Sequence, residues 1–283
     1  MDLGWPARHL TRRQMLRALA ATGASGLAGG AGYGYLFARH QVQVTRASLP
    51  VSGLPDNIVG LKIGLLTDLH YSQSVPAENI QAAVELLMNE TPDLIVLGGD
   101  YITAFDTRFA EPVAEILAPL SAQHGVYAIL GNHDDENIVP ASLKAKKIQV
   151  LRDARTQISI RGEKLEIAGI RFWTRQPSQI AQVLRGASAP VLLLAHDPRR
   201  LVEAAKLGVS LLLSGHTHGG QVVLPIVDTL VTRARHFPVL SGITQQDHTT
   251  MFVSRGVGTV YLPIRLNCPP EAAILTLERM ADV

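Results

Sequence analysis

The sequence lacks the marks of several common classes of protein. Its 283 residues include a single cysteine, Cys268, which excludes a disulfide framework and a metal cluster held by thiolates. It contains no Gly-x-Ser-x-Gly turn, no Gly-x-x-x-x-Gly-Lys loop and no Gly-x-Gly-x-x-Gly after the first predicted strand. Acyl transfer from a serine, triphosphate binding by a P-loop and dinucleotide binding therefore have no support in the sequence.

An excess of positive charge is found only at one end of the chain. Residues 1–46 contain six arginines and one acidic residue, a balance of +5, whereas the whole chain carries only +2. The remaining residues are therefore slightly acidic. A surface for nucleic acid needs clustered Lys and Arg on the folded domain, so we predict no such surface here.

The N-terminal segment has the layout of an export signal. Four arginines precede a charge-free run over residues 18–38 that is rich in Ala and Gly. The sequence TRRQML at residues 11–16 fits the twin-arginine pattern; a Sec signal or an ordinary membrane anchor is the alternative. No A-x-A cleavage site follows, and a run of about 20 residues is long enough to span a bilayer.

These features lead to three expectations about organisation and location. Residues 1–46 are predicted to be a twin-arginine-type signal or an N-terminal membrane anchor, and residues 47–283 one catalytic domain. The domain is expected outside the cytoplasm, in the periplasm or cell envelope, either exported or anchored to the membrane. The twin-arginine export machinery is then a partner.

Short apolar runs alternate with helical stretches from Leu61 onward, which predicts strands separated by flanking helices. Strands are predicted over 61–67, 93–97, 125–130, 191–195 and 210–213, and helices over 76–89 and 111–122. Residues 148–172 and 251–278 are predicted to add further strands with tight turns. The expected fold class is α/β, with a mixed β-sheet sandwich flanked by helices.

Polar residues fall where five of these predicted strands end. Asp, Asn or His follows each strand, and ligand sites of α/β sheets assemble at the carboxyl ends of strands. Carboxylate oxygens combined with imidazole nitrogens suit borderline ions such as Mn, Fe, Zn or Co. Two such ions about 4 Å apart can activate water and stabilise an in-line displacement at phosphorus.

The polar segments form five ordered blocks. They are Asp68-Leu69-His70, Gly99-Asp100, Gly131-Asn132-His133-Asp134, His196 and Gly215-His216-Thr217-His218. In this order and over roughly residues 61–220 they resemble the calcineurin-like metallophosphoesterases. That resemblance implies a four-layer α/β/β/α fold. The segments 254–258, 263–265 and 269–271 resemble, more weakly, the branch of exported bacterial phosphoesterases with twin-arginine signals.

The resemblance also implies which of two metal ions each of seven ligands would hold. Asp68, His70 and His218 would hold one divalent ion, Asn132, His196 and His216 the other, and Asp100 would bridge both. The metals are Mn, Fe, Zn or Co, and the pair is left open because this donor set accepts several ions.

His133 is the predicted catalytic residue, donating a proton to the leaving group or clamping a phosphate oxygen. Many relatives carry an Asp three residues after the bridging Asp that orients this imidazole, and here that position is Thr103. We therefore expect looser orientation and a less elevated pKa, with Asp134 or another group as a substitute partner. Arg255 and Arg265 are candidates for binding substrate phosphate, with ordinary surface pairing as the alternative.

Three functions are consistent with these residues. The first is hydrolysis of phosphate mono- or diesters outside the cytoplasm, by in-line attack of a metal-bridging hydroxide. The second is a pyrophosphohydrolase of a UDP-2,3-diacylglucosamine-type lipid precursor at the membrane, against which export of the domain would count. The third is a metal-binding protein that has lost catalysis, which the presence of His133 disfavours.

Overall fold

The computed structural model describes residues 11–188, 190–224, 228–229 and 236–281. Its helices are α1 (Arg12–Leu36), α2 (Ala77–Asn89), α3 (Ala110–Leu117), α4 (Ile138–Ala145), α5 (Pro177–Leu184) and α6 (Leu201–Lys206). Its strands are β1 (Gln43–Val51), β2 (Lys62–Leu66), β3 (Leu94–Leu97), β4 (Val126–Ala128), β5 (Gln149–Val150), β6 (Ala154–Ile160), β7 (Glu163–Gly169), β8 (Val191–Leu194), β9 (Leu211–Ser214), β10 (Val223–Leu224), β11 (Asp228–Thr229), β12 (Gly242–Gln246), β13 (Thr249–Val253) and β14 (Glu271–Arg279).

Two mixed sheets form the centre of the described part of the chain. The first has the order β1-β14-β2-β3-β4-β5 and is parallel except where β14 meets β2. The second has the order β12-β13-β9-β8-β7-β6, with antiparallel pairs at both edges. Strands β10 and β11 form a separate short ribbon.

Strand β3 shows why the sheets stack. Its four residues are fully buried, because one face packs against helices and the other against the second sheet. Ile95 and Leu97 lie in the apolar cluster that includes the inner faces of α2, α3 and α4. Leu94 and Val96 lie in the cluster between the two sheets.

The second sheet repeats this alternation. Leu192 and Leu194 of β8 face the first sheet, whereas Leu193 packs in a third cluster with residues of α5 and α6. Three apolar layers thus separate four layers of secondary structure. The predicted α/β fold, a mixed sandwich flanked by helices in the order α/β/β/α, is confirmed.

Two predicted boundaries differ from those observed. The helix predicted over 111–122 ends at Leu117, shortly before Pro119, which has no N–H to continue the helix. Strand β1 begins at Gln43 and pairs with β14 from its first residue, so it crosses the boundary predicted between residues 46 and 47. Residues 43–46 therefore belong to the first sheet.

Helix α1 contains most of the predicted export or anchor segment. It begins after Thr11, whose side chain accepts a hydrogen bond from the Gln14 backbone, and its described side chains are mostly exposed. Near its C-terminal end, Gly34 is buried against Ile264 and Arg265 of a loop. Among the described residues, no helix has both the length and the apolar character needed to cross a membrane.

Candidate metal centre and active site

The seven predicted ligands all follow the carboxyl ends of strands. Asp68 and His70 follow β2, Asp100 follows β3, Asn132 follows β4, His196 follows β8, and His216 and His218 follow β9. These strands are parallel within each sheet, so their carboxyl ends lie at one edge of the sandwich. The structure brings together residues separated by up to 150 positions.

The loops that carry these ligands have unusual backbone conformations. Five ligands adopt positive φ angles between 49° and 72°, namely Asp68, His70, Asp100, His216 and His218. Such conformations cost roughly 1–3 kcal/mol each in non-glycine residues and persist where the surroundings enforce them, often at active sites.

The glycines of the motifs allow the loops to approach the carboxylates. A Cβ atom at Gly131 would lie 2.0 Å from Asp100 Oδ1, and one at Gly215 would lie 2.3 Å from Asp68 Oδ2. At either position a side chain would clash with the neighbouring carboxylate. These two glycines are therefore part of the site geometry.

The first predicted ligand set forms a compact cluster. Asp68, His70 and His218 each offer a donor atom within 4.8 Å of the others. His218 Nε2 lies 3.5 Å from Asp68 Oδ1 and 3.1 Å from His70 Nε2. All three residues are buried, so the donor atoms converge away from solvent.

Asp100 lies between this cluster and the second set. Its Oδ2 atom is 3.4 Å from His70 Nε2 and 3.1 Å from His196 Nε2, while Oδ1 accepts a hydrogen bond from the backbone of His133. Asp100, His196 and His216 form a second group with donor atoms within 4.8 Å of one another. One carboxylate oxygen thus faces both sets, as a bridging ligand would.

The buried donor atoms fit divalent cations. Asn132 Oδ1 and His196 Nε2 are buried without a hydrogen-bond partner, an arrangement that is costly unless another group satisfies them. His196 Nδ1 lies 2.8 Å from the Gly98 carbonyl oxygen, which fixes the proton there and leaves the Nε2 lone pair for a metal. Two carboxylates, one amide oxygen and four imidazoles suit borderline ions.

The electrostatics of the site favour cations as well. Burial disfavours a charge on His196, but Asp100 and Asp68 outweigh it and raise the pKa of this imidazole to about 10. Burial, followed by repulsion from His196, lowers the pKa of neighbouring His216 to about 4. The paired carboxylates therefore stabilise positive charge at one position, and a second proton nearby is disfavoured.

His133 lies beside these ligands and is oriented by the backbone. Its Nδ1 accepts a hydrogen bond from the Ala104 N–H at 3.0 Å, so the neutral imidazole carries its proton on Nε2. Burial lowers its pKa from the usual value. Thr103 instead places its hydroxyl 3.3 Å from His70 Nδ1. The group that orients His133 is therefore the Ala104 backbone and not Asp134. Because this N–H donates to the ring, whereas a carboxylate would accept from it, it favours the neutral imidazole, in agreement with the expected less elevated pKa.

Asp134 is a structural residue of the site that sequence reasoning did not identify as such. Its buried carboxylate accepts hydrogen bonds from the backbone N–H groups of Asp100, Tyr101, Ile102 and Gly131. It makes no such bond to His133. Asp134 therefore ties the loop after β3 to the loop after β4, and so fixes Asp100 relative to Asn132.

Neither arginine proposed for substrate binding lines the cavity over the ligands. Arg265 is fully buried, and its guanidinium donates to carbonyl oxygens of Gly258 and Cys268 among others. Arg255 forms an ion pair with Glu271 at 2.8 Å and a hydrogen bond to Thr45. Arg265 has no access to a substrate and Arg255 is committed to β14 and β1, so the structure assigns both to structural roles.

A different arginine lines the metal cavity, which has a volume of about 340 Å³. Arg199 is 40% exposed, and its Nε and one terminal nitrogen bind both carboxylate oxygens of buried Asp197. Its guanidinium carbon lies 5.2 Å from the centroid of the Phe237 ring. The Asp-Pro-Arg sequence directly after His196 was the available signal, since Asp197 holds Arg199 near the ligand that precedes it.

Comparisons with known proteins agree with this geometry. The sequence profile described as calcineurin-like phosphoesterase matches residues 61–220. Phosphodiesterase YaeI of Escherichia coli K12 is 31% identical over 277 residues, 95% of this chain and 99% of that protein. The uncharacterized metallophosphoesterase YkuE of Bacillus subtilis 168 is 31% identical over 282 residues, 96% of this chain and 99% of that protein.

A solved structure shares the fold. The NAD nucleotidase of Haemophilus influenzae superposes with a TM-score of 0.51 at 15% identity, covering 70% of this chain and 46% of that one. At this identity the likeness concerns the fold alone. The sequence profile, the relatives aligned along nearly their full length and the converging metal ligands together give the assignment: the chain belongs to the calcineurin-like phosphoesterase family and is a dinuclear-metal hydrolase.

Proposed function

We propose that this enzyme hydrolyses phosphodiesters rather than phosphomonoesters. The observation that carries the proposal is the charge of the metal cavity. Among its described lining residues, Arg199 is the one Lys or Arg, and it is already paired with Asp197. A diester carries one negative charge and a monoester nearly two, so the described part of the lining, whose cation already shares its charge with a carboxylate, suits the diester. The similarity to a phosphodiesterase supports the same choice.

Each residue of the site has a task in this reaction. The seven ligands would hold two divalent ions, which when bound would lower the pKa of water and stabilise charge at phosphorus. Asp134 fixes the loops that carry Asp100 and Asn132. His133, whose Nδ1 accepts from Ala104, keeps its proton on Nε2 and from there donates a hydrogen bond that stabilises charge on the leaving oxygen. Arg199 keeps donors free for a non-bridging phosphate oxygen while Asp197 holds its other edge.

The test compares two substrates on the full chain loaded with Mn. We expect kcat/KM for bis(p-nitrophenyl) phosphate to exceed that for p-nitrophenyl phosphate by about tenfold or more, since one mismatched charge costs on the order of 1–2 kcal/mol. His133→Ala should lower kcat on the diester by about a hundredfold. Faster hydrolysis of the monoester would overturn the preference for diesters.

We also propose that the enzyme acts outside the cytoplasm and that α1 carries a twin-arginine export signal. Arg12 and Arg13 lie in the first turn of α1 and are exposed. Basic side chains at a helix N-terminus oppose the helix dipole, so helix stability does not account for them. The experiment replaces both by Lys and follows the protein by cell fractionation. Retention inside the cell is the expected result, and unchanged export would remove the proposal.

A further inference from the structure

A second cavity of about 260 Å³ is also lined by His133. Its described lining residues include Ser72, Ser74, His133, Thr259, Leu262 and Pro263. None of the seven metal ligands lines it. We call this cavity the side groove.

The side groove and the metal cavity share a boundary. His133, Val260 and Tyr261 line both of them. Tyr261 is 84% exposed, so this shared boundary lies at the protein surface. A molecule bound at the metal ligands can therefore extend past His133 into the side groove.

The far wall of the side groove is fixed by buried residues. Gln221 is fully buried, and its side-chain amide donates to the carbonyl oxygens of Val260 and Leu262 at 3.1 and 2.7 Å. Its amide oxygen accepts from the Val260 N–H at 2.9 Å. Gln221 comes three residues after His218, so the segment that supplies a metal ligand also holds this wall.

The position of His133 indicates which part of the substrate the side groove would hold. In hydrolysis, water adds its oxygen to phosphorus, the bond from phosphorus to the leaving ester oxygen breaks, and that oxygen ends with a proton as a free alcohol. The leaving oxygen departs on the side of phosphorus opposite to attack. Since His133 is the proposed hydrogen-bond donor to that oxygen, the alcohol must lie next to His133. Of the two cavities that His133 lines, the metal cavity contains the ligands that face the phosphate, which leaves the side groove for the alcohol.

The lining also indicates what kind of alcohol fits. Hydroxyl groups come from Ser72, Ser74 and Thr259, and apolar surface comes from Leu262 and Pro263. Among the described lining residues there is no Lys, Arg, Asp or Glu. Resting on the proposed diesterase function, we infer that the side groove is the leaving-group subsite and takes an uncharged alcohol with both hydroxyl and apolar parts.

The experiment varies one arm of the substrate at a time. Methyl 4-nitrophenyl phosphate is the reference, methyl 4-methylumbelliferyl phosphate enlarges the leaving group, and thymidine 5′-(4-nitrophenyl) phosphate enlarges the other arm. Leu262→Trp narrows the side groove at a residue that is half exposed. We expect it to lower kcat/KM for the umbelliferyl substrate, relative to the reference, by about tenfold, with the thymidine ratio unchanged.

Two further variants keep the test decisive. Tyr261→Ala opens both cavities, since Tyr261 lines both, and should raise the umbelliferyl and the thymidine ratios together. His236→Trp narrows the metal cavity instead and should lower the thymidine ratio only. Equal effects of Leu262→Trp on both ratios, or no effect of it and of Tyr261→Ala on either, would overturn the inference. If the wild-type enzyme cleaves none of the diesters, the proposed function fails instead.

Discussion

Replacing Asp134 by Asn tests how the two ligand loops are held together. The carboxylate accepts four backbone hydrogen bonds: Oδ1 from Tyr101 and Ile102, and Oδ2 from Asp100 and Gly131. An Asn side chain keeps one oxygen and turns an NH₂ group toward the other pair of donors. Two buried N–H groups then lose their acceptor, at about 1–3 kcal/mol each, so we expect a loss of about 2–6 kcal/mol in the free energy of unfolding.

The neighbouring residue offers a matched control. Asp135 also accepts two backbone hydrogen bonds, from Asn137 and Ile138, but it is not buried, and Asn serves about as well as Asp at such a position. Asp135→Asn should therefore change the free energy of unfolding by less than about 0.5 kcal/mol.

The assay for both variants is urea unfolding in the presence of a chelator. Burial and the adjacent Asp100 raise the pKa of Asp134 to about 7, so the measurement is made near pH 8.5, where the carboxylate is ionised. Equal free energies of unfolding for the two variants would refute the role of Asp134 as the connection between the loops.

Three further predictions concern charge at and near the site. Because the pKa of His196 is raised to about 10, chelator-treated protein at pH 8 should release a proton when it binds Mn, and its affinity for Mn should rise with pH up to about pH 10. Calorimetry in buffers of different ionisation enthalpy measures this proton release, and zero release would contradict the charge assigned to His196. Arg199→Gln should raise KM for the diester about tenfold, whereas Arg108→Gln, at an exposed residue outside the cavity, should leave KM unchanged. Equal KM values for the two variants would count against a contact between Arg199 and the substrate. Arg265→Met should lower the free energy of unfolding by about 3 kcal/mol in urea, because buried carbonyl oxygens lose their donor, and a stable variant would mean that this role is mistaken.

The fold class and the convergence of the ligand blocks could be predicted from the sequence. Residues 94–97 are four consecutive apolar residues, and such a run is typical of a strand buried on both faces. Polar residues directly after such strands meet at one edge of a sheet whatever their separation in sequence. These two regularities predict that Asp68 and Asp100 lie together, since both follow strands of the first sheet, whereas the place of His196 beside them was implied by the resemblance to the metallophosphoesterases.

The supporting contacts could not be predicted in the same way. Asp134 follows a strand and precedes a helix, so its local sequence resembles a helix cap, while three of its four backbone partners lie more than 30 positions away. His133 is oriented by the backbone of Ala104, and a backbone N–H leaves no mark in a sequence. Arg265 became a phosphate candidate by residue type, but its burial depends on segments that pack over it only in the fold.

The central claim is that the seven ligands would hold two divalent ions, with the Asp100 carboxylate facing both ligand sets, and that this site hydrolyses phosphodiesters. The most direct measurement is the hydrolysis of bis(p-nitrophenyl) phosphate by full-length wild-type protein and Asp100→Asn, each stripped of metal and then reloaded with Mn. Activity should depend on added Mn in the wild type and fall by about a hundredfold or more in the variant, which loses the charge shared by both ligand sets. Wild-type activity without metal, or full activity in Asp100→Asn, would contradict the account.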